Sequence, residues 1–195
     1  MHTNRRKKAK DTEAKIFGDI KAGLPIGIYG SFYNGKKEEL LQLRDYLRDL
    51  GFKKTRISED LDERPILDRH TPNPRYDRML SKKLIDQSVA HIFVFLMPKD
   101  GDPVNLNQSV SMELERLITL IETGKKIDQD IMLLIEKGAR DNIKDSLGGV
   151  CKGLIEEQKD NENPADIIDF KKLTPYFQAI FHYCCRCAEK KINPK

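Results

Sequence analysis

The chain has 195 residues, of which 38% are hydrophobic and 34% charged, with 12 Gly, 9 Pro and no Trp. That length supports one α/β domain with a substantial core, and the composition excludes a low-complexity chain or a disulfide scaffold. The formal charge of +4 includes Arg5, Arg6, Lys7, Lys8 and Lys10, which leaves the rest of the chain at a net −1. A basic arm on a near-neutral body gives nucleic-acid binding little support, because a nucleic-acid face needs a basic surface on the folded part. The longest apolar run, 92–98, falls far short of the roughly 20 residues that cross a bilayer, and no apolar stretch backs the basic N-terminus. Membrane partners and secretion are not expected.

Residues 1–24 are expected to form a basic, flexible arm, and 25–195 a single α/β domain with a closing C-terminal helix. The run 26–29 is a buried strand entering the loop Gly30, Ser31, Phe32, Tyr33, Asn34, Gly35. Leu40, Leu43, Leu47 and Leu50 recur at helical spacing, with Gly51 where a helix ends. A second strand is expected over 52–58, then a long polar loop over 59–75 containing Pro65, Pro72 and Pro74. Met79, Leu80, Leu84 and Ile85 mark a helix over 76–88 that leads into an apolar strand over 91–97. A further helix starts near Ser109, buries Leu114, Leu117, Ile118 and Ile121, and stops at Gly124. The run 131–135 is the fourth strand. Gly148 and Gly149 interrupt the pattern, 156–166 reads as a polar connection, 167–170 is a fifth strand, and 174–191 is the closing helix.

Strands alternating with helices imply a three-layer Rossmann-like, flavodoxin-like domain built on a mostly parallel sheet of about five strands. Such sheets bind ligands beyond the C-terminal ends of their strands, so the loops over 30–35, 59–75, 98–108 and 137–141 are where a site belongs. The first loop has small residues whose N–H groups a ligand can approach, with Phe32 and Tyr33, and Tyr29 just before it, as aromatic surfaces for a base. It matches neither the dinucleotide glycine pattern nor the lysine-bearing phosphate loop.

Ser109 or Ser111 is suited to cap the helix that follows the third strand, which puts Glu113 in its first turn or two. There the helix N-terminus would keep the carboxylate ionised, fit to act as a nucleophile or to stabilise an oxocarbenium-like sugar. The plain alternative is that Glu113 and Glu115 sit on a solvated helix face. Asp60, Asp62, Glu63 and Asp68 are more simply a solvated acidic loop than a cation site. His70 is a loop histidine without a clear task, and His91 reads as a hydrogen-bonded core residue. Cys184, Cys185 and Cys187 crowd one helix, Cys151 lies apart, and no second Cys-x-x-Cys pairs with Cys184 and Cys187. Buried free thiols in a reducing cytoplasm are expected, with no metal and no cofactor.

The segment 109–114 after an apolar strand, with the helix ending at Gly124, Lys125 and Lys126 and a strand following, resembles the glutamate-bearing segment of nucleoside 2-deoxyribosyltransferases. Related sequences occur in TIR-like nucleotide-binding domains. The strand at 26–29, its aromatic-bearing loop and the helix over 36–50 are similar to that family's opening, so the resemblance spans about 25–135. It implies that Glu113 is the catalytic glutamate and attacks the anomeric carbon. It also implies that Gly30, Ser31, Phe32 and Tyr33, with Asn107, Ser109 and Ser111, border the substrate, and that pockets are completed across subunits of a homo-oligomer. The chain departs from the family pattern at Asn107, at Ser81 and Lys82, where aspartates are usual, and at Glu115, where glycine is usual. The expected function is cleavage or transfer at the N-glycosidic bond of a nucleoside, nucleotide or NAD-like molecule, as hydrolase or transferase. The alternative is a nucleotide-sensing or protein-interaction module of the same fold that does not cleave.

Overall fold

A computed structural model describes residues 2–32, 36–69, 71, 73–99, 101–102, 106–139, 149–157 and 165–192. In chain order the elements are α1 (His2–Gly23), β1 (Ile26–Tyr29), α2 (Lys36–Asp49), β2 (Thr55–Arg56), a 3₁₀ turn (Ser58–Leu61), α3 (Ile66–Arg69) and α4 (Pro74–Gln87). They continue with β3 (Ala90–Phe95), α5 (Gln108–Glu122), β4 (Asp130–Glu136), α6 (Gly149–Glu157), β5 (Ala165–Phe170), a second 3₁₀ turn (Thr174–Tyr176) and α7 (Phe177–Ile192). The five strands pair in parallel in the order β2-β1-β3-β4-β5. With helices on both faces, this is the three-layer, flavodoxin-like architecture expected from the alternation of elements.

Burial on both faces explains why the central strands read as unbroken apolar runs. Ile28, Ile92, Val94, Met132 and Leu134 point to one side, where Leu40, Leu43 and Leu47 of α2 and Ile180, Tyr183 and Cys184 of α7 cover them. Tyr29, Phe93, Phe95, Leu133 and Ile135 point to the other, under Leu80, Leu84 and Ile85 of α4 and Val110, Leu114 and Leu117 of α5. His91 is the buried, hydrogen-bonded residue the sequence suggested. The Tyr29 hydroxyl lies 3.0 Å from its Nδ1 and Gln129 Oε1 lies 3.0 Å from its Nε2. Burial lowers the imidazole to about 4, so it is neutral at physiological pH.

Several elements differ from expectation for local reasons. The strand expected over 52–58 shrinks to two residues, because Phe52 N is bonded back to Leu47 O at the end of α2 and Ile57 N is taken by the Asp60 carboxylate. Gly51 makes that return possible at φ 103°. The polar loop over 59–75 is partly helical and tied down by ion pairs. Asp60 meets Arg44 at 2.8 Å and Arg48 at 3.0 Å, Asp62 meets Arg64 at 2.8 Å, and Glu63 meets Lys83 at 2.6 Å. Arg64 holds the Asp62 carboxyl down to about 2. These carboxylates have basic partners, and no group of His, Cys, Asp or Glu among the described residues is arranged to hold a metal. His70 lies outside the described residues.

The arm expected over 1–24 is helical from His2 to Gly23, and Phe17 and Ile20 pack on the α2–α7 side of the core. Lys21 Nζ lies 5.0 Å and 4.8 Å from the ring centres of Phe52 and Phe181, which adds a cation–π anchor. Where Gly149 was expected to interrupt the pattern, α6 begins and sends Leu154 into the α4–α5 side of the core. Cys184 and Cys187 are buried free thiols, and Cys185 is partly buried. No helix among the described residues is long and apolar enough to cross a membrane.

The closest packing in β1 sets a demand on one glycine. The Tyr29 ring stacks on Phe93 at 4.5 Å and folds back over Gly27, so that a Cβ there would stand 2.4 Å from the Tyr29 hydroxyl. We expect Gly27→Ala to lower unfolding free energy by about 1–3 kcal/mol in urea titrations. The penalty should be smaller in a Tyr29→Ala background, where the obstructing ring is absent.

Candidate functional site

In a 2-1-3-4-5 sheet the chain turns to opposite faces after β1 and β3, which opens a crevice between their C-terminal ends. A small pocket lies there, lined by Ile28, Tyr29, Gly30, Phe32, Ser58, Leu84 and Glu113. It encloses about 10 Å³, room for one water molecule. Thus Gly30, Phe32 and Glu113, singled out in the sequence, meet in space. Tyr29 is at the pocket too, but its ring is stacked on Phe93 and its hydroxyl engaged with His91, so it forms a buried wall. Phe32, 39% exposed, is the aromatic face available to a ligand. The absence of a side chain at Gly30 admits Leu40, whose Cδ1 would lie 2.7 Å from an added Cβ.

The other expected contacts are distributed differently. Asn107 is 1% exposed and fully engaged with the end of β3: its Oδ1 accepts from Leu96 N at 2.9 Å and its Nδ2 donates to Leu96 O at 2.7 Å. It is a structural clasp. It is also the N-cap position of α5, in place of Ser109 or Ser111, although its side chain makes no capping bond. Ser109 is exposed in the first turn and Ser111 partly buried in the next, and neither lines the pocket. Ser31 is partly buried and also outside the lining. Tyr33 lies outside the described residues. Glu115 is exposed. Ser58 and Leu84, which line the pocket, and Ser81, which bonds to Glu113, were not read as site residues. For Ser81 the signal was the departure from the aspartate usual in the transferases that the sequence resembles, and Ser58 and Leu84 carried none.

The electrostatics of Glu113 correct the expectation of a carboxylate held ionised by the helix N-terminus. It is the sixth residue of α5, beyond the first turn where free N–H groups exert that influence. Burial dominates, raising the carboxyl to about 7, while a hydrogen bond with the Ser81 side chain on α4 pulls it downward. Near neutrality the group is divided between acid and carboxylate, the condition of a residue that can hold or release a proton at working pH. Burial also pushes the Tyr29 phenol well above its usual value, and the charge of Glu113 adds to this.

Compared with known protein families and with curated proteins, the chain matches none. The site is therefore described by its geometry: a partly buried carboxyl at the switch point of a parallel sheet, in one pocket with the exposed ring of Phe32.

Two measurements follow from this arrangement. The folded state binds a proton at Glu113 more tightly than the unfolded chain, whose carboxyl titrates near 4.5, so this group's contribution to stability falls as pH rises from 4.5 through 7. The Tm of Glu113→Gln minus that of the wild type should therefore grow between pH 5 and pH 8, by the equivalent of about 1–3 kcal/mol. Asn107→Asp removes the donor to Leu96 O and buries a charge against that carbonyl. It should lose about 3 kcal/mol at pH 7 by urea denaturation, and less at pH 4, where a protonated carboxyl donates again.

Proposed function

We propose that the protein cleaves or transfers at the N-glycosidic bond of a nucleoside, nucleotide or NAD-like molecule, with Glu113 as its catalytic carboxylate. The observation that carries this reading is the position of Glu113, turned into the crevice pocket with Tyr29, Gly30 and Phe32 instead of lying on a solvated helix face. The resemblance of 109–114 to the deoxyribosyltransferase segment supports the same assignment.

In this mechanism the ionised Glu113 oxygen attacks the anomeric carbon as the C–N bond breaks. The bonding pair leaves with the base, which takes a proton from solvent. The resulting glycosyl ester is opened by water, giving the free sugar, or by a second base, giving a new nucleoside. Phe32 stacks on the base, and Ser81 sets how readily Glu113 ionises. Because the pocket encloses only about 10 Å³, substrate entry requires its walls to part.

The same tightness, together with the commitment of Asn107 to Leu96, favours a second reading in which the crevice senses a nucleotide without cleaving it. HPLC for free base, over a panel of nucleosides, nucleoside monophosphates and NAD, separates the two. Base release by the wild type that vanishes in Glu113→Gln supports the enzyme. No release from any member, while panel members still raise the Tm, supports the sensor. For the enzyme, kcat/KM should rise with pH through about 7, since the nucleophile is the ionised form. Ser81→Ala should move that rise to higher pH by removing the bond that favours the carboxylate.

A further inference from the structure

The helix α4, which sends Leu84 to the pocket, carries an outward face on which Arg75, Arg78, Met79 and Lys82 follow one another at helical spacing. With Asn73 and Tyr76 they line an open groove of about 510 Å³, inside the roughly 300–1,000 Å³ range of small-molecule sites. The charges around this groove are elsewhere neutralised in pairs: Arg64 with Asp62 and Asp77, Lys83 with Glu63, Arg116 with Asp86. Arg75, Arg78 and Lys82 make no ion pair among the described residues, which leaves three cations on one side of one helix. Guanidinium groups offer paired N–H donors that match phosphate oxygens, and Lys82 supplies a compact charge beside them.

We propose that this face of α4 holds the phosphate or pyrophosphate group of the substrate, so that the site takes nucleotides in preference to nucleosides. The proposal rests on the glycosidic reading of Glu113. The link between the two is Ser81, which bonds to Glu113 and lies on the helix between Arg78 and Lys82, within one turn of both. A phosphate on Arg78 and Lys82 is thereby held on the helix whose Ser81 bonds to the carboxylate, and the proposal places the sugar between the two. The neighbouring ring of Tyr76 is engaged with the Arg64 guanidinium at 4.4 Å, which leaves anion contact to the three unpaired cations.

The test is calorimetric titration of the full chain at roughly 50 mM salt, where such contacts are least screened. Three probes are used: inorganic pyrophosphate, a nucleoside and the 5′-diphosphate of that nucleoside. They are titrated into the wild type and into the Arg78→Gln, Lys82→Gln double variant, whose substituted side chains lie outside the core. The wild type should bind the diphosphate at least about tenfold more tightly than the nucleoside, and the double variant should lose that margin, and pyrophosphate binding, at unchanged Tm. Pyrophosphate binding that is equal in the two proteins overturns the proposal, as does equal affinity of the wild type for nucleoside and diphosphate, whether or not base is released. Pyrophosphate binding that the double variant loses, with no affinity for the nucleoside and no base release, upholds the anion site and removes the glycosidic reading.

Discussion

The pairing of β1 directly with β3 is the constraint on which the site depends. Ile28 lies opposite Ile92 and Tyr29 opposite Phe93, so the two strands end side by side while the helices that follow them leave for opposite faces. That divergence makes the crevice, and the stacked Tyr29 and Phe93 rings fill the space beneath it. Gly27 permits the stack, and the stack sets the depth of the pocket floor. α5 then brings Glu113 to the same point from the far side of β3.

Glu113 shows two opposed effects within one residue. Removal from water favours the neutral acid, and the hydrogen bond with Ser81 favours the carboxylate. Desolvation prevails but not completely, which leaves the group titrating at about 7. His91, on the same face of the sheet, is displaced in the other direction by the same cause and stays neutral. One apolar layer thus holds an acid that gives up its proton late and a base that declines one, joined through the Tyr29 ring that touches the surroundings of both.

The fold was legible where strands are buried on both faces, because Ile28, Ile92, Val94, Leu133 and Leu134 leave no polar alternation to confuse the pattern. It was least legible at β2, where backbone bonds from Phe52 to Leu47 and from Ile57 to Asp60 consume residues of high strand propensity. The N-terminal helix was hidden by its basic composition, since its anchors among the described side chains, Phe17 and Ile20, come from its last turns. In the site, the placement of Glu113 on the helix after the third strand could be read from the sequence. Its protonation could not, because Ser81 and Tyr29 come from distant segments. Asn107 was misleading for a similar reason, since nothing local announces that its amide closes onto Leu96.

The clasp at Leu96 also determines which way the pocket opens. Asn107 holds both backbone groups of Leu96, and the buried Glu136 accepts from Met97 N at 3.0 Å, so the chain leaving β3 is pinned from two sides just before α5. Under the proposed function, the wall that bears Glu113 would be the stationary one, and an entering molecule would displace the opposite wall, at Phe32 and Ser58. Association would then proceed at the frequency with which that wall opens, and not at the rate of diffusional encounter. The carboxylate would keep its place throughout, so each ligand admitted would meet the same oxygen in the same orientation.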